Sequence, residues 1–111
     1  MKEKLIILKN QKGIIQLDIN EIIAITCEGY CTTFHYGEDE KRFTYCKSLH
    51  QIEEELLNDV ENWLRINRNS IIFIEKVLFL NKQNRILSLK GGIELQISVR
   101  NLSLFNKMLD K

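Results

Sequence analysis

The chain has no proline and only five glycines in 111 residues. That shortage argues against disordered tails and flexible linkers, which draw on both residue types. No apolar run approaches the roughly 20 residues needed to span a bilayer. The start, Met1-Lys2-Glu3-Lys4 followed by Leu5-Ile6-Ile7-Leu8, has too short an apolar stretch for a secretory signal. The expected compartment is therefore the cytoplasm, with no membrane partner. There is no internal repeat and no low-complexity segment. A large net charge is also missing: the balance is +1 at pH 7. Any nucleic-acid binding must then rely on basic residues gathered on one surface, with the acidic ones elsewhere. Cysteine is sparse and odd in number, Cys27, Cys31 and Cys46. A disulfide framework normally uses an even count in a secreted chain, so free thiols in a reducing compartment fit better.

What is present is an ordinary globular balance, 44% hydrophobic and 28% charged, over a length that suits one domain with one core. Residues 5–9 and 14–17 are rich in Ile and Leu, and Asn10-Gln11-Lys12-Gly13 between them is a turn, which predicts a hairpin. Asp18-Ile19-Asn20-Glu21 breaks the pattern and fits one helical turn. Ile22 to Cys27 is β-branched enough for a strand. Glu28-Gly29-Tyr30 is a turn, and Cys31 to Tyr36 returns as a strand with alternating faces. Past the acidic loop Gly37-Glu38-Asp39-Glu40 comes a strand over Arg42 to Tyr45.

Ser48-Leu49-His50-Gln51 has the spacing of a helix capping box. Leu49, Ile52, Leu56, Leu57 and Val60 follow at helical spacing, with Glu53, Glu54, Glu55, Asp59 and Glu61 on the remaining positions. This acidic helix is expected to face away from any anionic partner. Trp63 to Ile66, the apolar run Ile71 to Ile74, Val77 to Leu80 and Ile86 to Leu89 read as strands. Gly91-Gly92 is a hairpin signal before the alternating Ile93 to Ile97. Asn101 to Leu109 reads as a short terminal helix. The expectation is a mainly β fold of about eight or nine short antiparallel strands, with one central helix and a short C-terminal one.

No catalytic set stands out. Cys27, Cys31, His35, Cys46 and His50 do not match a structural zinc pattern. On one strand face, Cys31 and His35 would sit about 13 Å apart, too far to share an ion. No recognisable Cys-His signature is present, and Gly91-Gly92 lacks the Lys-Ser/Thr of a phosphate loop. No cofactor, metal or small-molecule substrate is implied, and a zinc or thiol enzyme is the weakest reading. The polar loops say more. Asn67, Arg68 and Asn69 follow Arg65; Ser98, Arg100 and Asn101 precede the last helix; Lys47 and Ser48 open the first. Arg and Asn pair bidentately with guanine and adenine, and Lys neutralises phosphate. Helix N-termini add amide donors for phosphate oxygens. On composition alone, polar turns capping strands are the favoured reading of these residues.

The segment Leu64-Arg65-Ile66-Asn67-Arg68-Asn69-Ser70-Ile71-Ile72-Phe73-Ile74-Glu75-Lys76-Val77 resembles the hallmark of LytTR-type DNA-binding domains. There an aromatic or Leu, an Arg and an apolar residue precede His-Arg-Ser-Tyr-Ile-Val-Asn. Leu95-Gln96-Ile97-Ser98-Val99-Arg100-Asn101-Leu102 is similar to that family's strand ending in Ser and Arg before its terminal helix. Ile22 to Tyr36, with Glu28-Gly29-Tyr30 at the variable recognition loop, and Tyr45-Cys46-Lys47-Ser48-Leu49 follow in family order, from about Ile14 to Leu109.

The resemblance implies an elongated arrangement of antiparallel sheets whose loops enter successive major grooves of promoter DNA, as a transcriptional regulator of the two-component type. It implies base contacts by Arg68, Arg100 and Tyr30, or Cys31 beside it. Lys47, Ser48, Asn67, Asn69, Ser98 and Asn101 would contact phosphates or support the loops. Two copies on repeated half-sites are the expected arrangement. Asn67 stands in place of His, Asn69-Ser70 in place of Ser-Tyr, and Phe73 in place of Asn. The first two keep hydrogen-bonding capacity and bear on sequence preference; Phe73 points to packing. The length is too short for a receiver domain as well, so one DNA-binding domain over 1–111 is expected, standing alone or taken from a longer chain. The alternative is a non-catalytic protein-interaction module on the same scaffold, with weak or lost DNA binding.

Overall fold

The computed structural model describes residues 4–109; the charged start Met1 to Glu3, part of the leader reading above, lies outside them. Strands β1 (Leu5–Asn10) and β2 (Gly13–Asp18) form the first hairpin. Its turn is held by the Asn10 Oδ1, which accepts from the amides of Lys12 at 2.8 Å and Gly13 at 3.0 Å, the local bond that favours Asn in turns. One 3-10 turn, Ile19–Glu21, follows, capped reciprocally by Asp18 and Glu21. Then come β3 (Ile22–Glu28), β4 (Cys31–Tyr36), β5 (Lys41–Tyr45), α1 (Leu49–Glu55), β6 (Trp63–Asn67) and β7 (Ser70–Phe73). The chain closes with β8 (Val77–Asn81), β9 (Ile86–Leu89), β10 (Glu94–Gln96) and α2 (Val99–Leu109).

Among the described residues ten strands build three antiparallel sheets: the β1-β2 hairpin, a central sheet ordered β5-β4-β3-β7-β6, and an outer sheet ordered β10-β9-β8. The central sheet is covered on both faces. One face, through Ile22, Ile25, Phe34, Ile71 and Phe73, meets Ile6, Leu8 and Leu17 of the hairpin and Leu49, Ile52 and Leu57 around α1. The other, through Ile23, Ala24, Leu64, Ile66 and Ile72, meets Leu87 and Leu89 of β9, Ile97 and the α2 residue Phe105. Each fully buried Leu, Ile or Phe contributes roughly 1.5–3 kcal/mol of transfer free energy.

This double coverage explains two features of the sequence. All four residues of β7 are buried, so its apolar run does not alternate. In β3, the register shifts between Ile22 and Ala24. That bulge sends the consecutive Ile23 and Ala24 to the same cluster, where strict alternation would split them.

One element needs correction here. The helix over Leu49 to Val60 ends at Glu55: the Ile52 carbonyl accepts from both Leu56 at 2.9 Å and Leu57 at 3.2 Å. The chain then turns away. The indole N–H of Trp63 donates to the Leu57 carbonyl at 3.1 Å, and Asn62 adopts a left-handed φ of 68°. Leu57 and Val60 still pack on the α1 side of the core, which is why their spacing mimics a longer helix. The strands expected over Ile71 to Ile74 and Val77 to Leu80 are β7 and β8, separated by a 3-10 turn at Ile74–Lys76, and β8 pairs in a different sheet. The molecule measures 40 × 34 × 28 Å, and among the described residues no helix is long and apolar enough to cross a membrane.

Candidate nucleic-acid interface

Strand pairing alone brings the singled-out loops to one end of the central sheet. The β3–β4 turn closes at Glu28 opposite Cys31. Thr26 on β3 faces Ser70 on β7, and Ser70 faces Asn67 on β6, so the Arg68-Asn69 turn lies at that same end. Thr32 faces Tyr45, so β5 also finishes there and delivers Cys46, Lys47 and Ser48. A backbone bond from the Cys27 amide to the Asn69 carbonyl, 2.8 Å, joins the two turns directly.

The Ser98–Asn101 segment is tied to the same rim. The Ser98 amide donates to the Ile66 carbonyl at 2.8 Å, and the Asn67 side-chain amide donates to the Gln96 carbonyl at 2.7 Å. The Asn67 carbonyl oxygen meanwhile accepts from the Asn69 amide at 2.7 Å. Both ends of Asn67 are thus committed to holding the Arg68 turn against the segment that starts α2. The hydroxyl of Ser98 accepts from the Asn101 amide at 3.2 Å and caps that helix. Arg100 is its second residue and is exposed. At the head of α1, Ser48 accepts from the Gln51 amide at 3.2 Å, and Gln51 Oε1 accepts in return from the Ser48 amide at 3.0 Å. Tyr30 stands at the tip of its turn, 96% exposed. A left-handed Gly29, φ 66°, precedes it, a conformation costly for any residue with a Cβ.

Charge on the rim is mixed. Among the described residues neither Arg68 nor Arg100 joins an ion pair, and both are exposed. Lys47, by contrast, donates to Glu55 at 2.7 Å, and that bond holds its ammonium pKa above the ordinary range. Arg65 donates to Glu53 at 3.3 Å and, through its other nitrogen, to the Arg68 carbonyl at 2.7 Å. Its guanidinium therefore braces the turn that carries Arg68. The acidic helix does not face wholly away, as its composition suggested, because two of its carboxylates reach back to rim cations. Glu28 adds an exposed carboxylate beside the Tyr30 turn.

Arg85 is a rim cation that the sequence reading passed over. It donates to the Ile97 carbonyl at 3.3 Å, and the Ile97 amide donates back to the Arg85 carbonyl at 2.9 Å. It lines one shallow groove with Asn67, Arg68, Asn69, Gln96 and Ser98. A lone arginine closing a turn carries no sequence signal; only the β9–β10 pairing places it here. Farther down the sheet, His35 Nε2 and the Thr26 hydroxyl are joined by a hydrogen bond of 2.9 Å. Burial first, and Arg42 second, push its pKa down.

Comparison with protein families matches residues 12–110 to the one described as the LytTr DNA-binding domain. Among solved structures, a Bacillus cereus domain assigned as the LytTr DNA-binding domain of a methyl-accepting/DNA response regulator matches with a TM-score of 0.79. It is 19% identical, and the match covers 99% of this chain and 100% of that one. At that identity the likeness speaks for the fold. Comparison with curated proteins gives no match.

Proposed function

The chain belongs to the LytTr DNA-binding domain family, and from that premise we propose that it binds duplex DNA sequence-specifically as a transcriptional regulator in the cytoplasm. The family is a DNA-binding one and not a catalytic one. The reading rests on one observation: three loops of the central sheet and the start of α2 meet at one rim, with Arg68 and Arg100 exposed and free of ion pairs among the described residues.

A major groove about 12 Å wide admits a two-stranded ribbon, and the β3–β4 and β6–β7 turns are both of that form. Arg68 and Arg100 are the base readers, each able to pair with guanine O6 and N7. Tyr30 offers an aromatic face and a hydroxyl at the tip of the first ribbon. Arg85 neutralises a phosphate, and Lys47 reaches one only when it lets go of Glu55. Ser48 and Ser98 leave helix-terminal amides toward phosphate oxygens. Asn67 supports the turn, and Asn69 and Asn101 are placed for phosphate or sugar contacts. One such domain spans 1–111, and a pair of them on repeated half-sites gives a promoter-length footprint.

Selection from a pool of random duplexes, followed by anisotropy titration of the enriched sequence, tests this reading. Enrichment of a defined site is expected, along with a loss of roughly 1–3 kcal/mol on that site for Arg68→Ala or Arg100→Ala and less on random duplex. Equal losses on both would remove the base-reading role. No binding at low salt would leave a protein-interaction module.

A further inference from the structure

Where β4 begins and β5 ends, two thiols meet: Cys31 Sγ lies 3.2 Å from Cys46 Sγ. The register explains the encounter. Thr32 pairs with Tyr45, and one step outward sets Cys31 opposite Cys46. Directly opposed residues carry Cβ atoms about 4.5–5.5 Å apart, close to the roughly 3.5–4.5 Å that a disulfide adopts. Bond formation needs a small approach of two strand ends and no rearrangement of the core. Cys46 is exposed, so an oxidant reaches it. Cys31 is half-buried and held in its protonated form, first by its hydrogen bond to Cys46 and then by desolvation. The third thiol, Cys27, is directed instead to the Gly29 carbonyl at 3.5 Å.

We propose that Cys31 and Cys46 form a reversible modification site, a hydroperoxide-reactive dithiol that closes to a disulfide across the rim. The Cys46 thiolate attacks one peroxide oxygen. The O–O bond breaks, the sulfur becomes a sulfenic acid, and the other oxygen leaves as water after taking a proton. Cys31 then gives up its proton and attacks the sulfenic sulfur. The S–S bond forms as the S–O bond breaks, and a second water departs. Two thiols and one hydrogen peroxide become one disulfide and two waters, the two electrons passing from sulfur to oxygen. A dithiol reductant reverses the step by exchange. The new bond fixes the residue after Tyr30 to the residue before Lys47. The dithiol is therefore a redox control of the rim, a consequence that rests on the DNA-binding reading above.

The test treats the dilute protein with hydrogen peroxide, counts free thiols by alkylation and mass spectrometry, and maps the crosslinked peptide. Two of the three thiols should be lost, in a monomer, with Cys31 joined to Cys46, and a dithiol reductant should restore them. Cys27→Ser should leave the reaction intact, and Cys46→Ser should abolish the intramolecular bond. Three persisting thiols, a bridge that includes Cys27, or a crosslinked dimer overturns the site. Duplex affinity of the reduced and oxidised protein then reads the control. A several-fold difference, absent in Cys46→Ser, supports it, and equal affinities overturn it. Absence of binding in both forms removes the control together with the DNA reading, while the thiol count still decides the disulfide.

Discussion

Among the described residues five cations reach the rim, Lys47, Arg65, Arg68, Arg85 and Arg100, and two of them already face carboxylates, Glu55 and Glu53. Five less two leaves Arg68, Arg85 and Arg100, three charges that displace counterions from a duplex whether they end against base edges or phosphates. Each neutralised phosphate contributes about 0.9 to the log–log salt slope, so a slope near −2.7 per protomer is expected. The double variant Glu53→Gln, Glu55→Gln keeps side-chain shape and releases Lys47 and Arg65, which steepens the slope toward about −4.5. Low-salt affinity should rise at the same time. Both pairs are partly exposed, 36% and 46% for one and 37% and 21% for the other. Such pairs are worth about 0–1 kcal/mol each, so the fold should survive their loss. The assay is anisotropy of a labelled duplex across a salt series, with thermal unfolding to confirm that the variant is native. Identical slopes for the two proteins would refute the idea that these carboxylates mask rim cations. A flat slope for both would refute phosphate binding by the rim altogether.

Three other outcomes follow from the packing. Phe73→Ala empties a site only 2% exposed and should cost roughly 3–5 kcal/mol, read as a lowered midpoint in urea. Asn67→Ala removes two hydrogen bonds of the Arg68 turn. At about 0.5–1.5 kcal/mol each, the stability loss is modest, whereas site-specific DNA affinity should fall as it does for Arg68→Ala; unchanged affinity would dismiss the supporting role. His35 has a folded pKa below its ordinary 6.5, so the unfolded chain binds the proton more readily. Stability contributed by the neutral ring is complete above 6.5 and declines as pH falls through 6.5 toward the lower folded value. His35→Gln should flatten the unfolding free energy across that window.

The strands were legible wherever one physical signal controlled the backbone. Asn10 and Gly13 announced their turn, Gly91-Gly92 its hairpin, and Ser48 with Gln51 the start of α1. The end of α1 was not legible, because Leu57 and Val60 satisfy helical spacing while packing from irregular backbone. Nor was the change of sheet after Phe73, because successive apolar strands read alike whether they stay in one sheet or cross to the next.

Local chemistry, which a linear sequence contains in full, determined the β-rich class, the turn positions, the family pattern and the residue types suited to DNA. Long-range pairing decided the rest. It brought residues 30, 47, 68, 85 and 100 to one rim, turned Glu53 and Glu55 onto Arg65 and Lys47, and set Cys31 against Cys46. Those relations depend on register between strands tens of residues apart. Register is fixed only when both faces of the central sheet are buried together, so no single stretch of the chain can encode it.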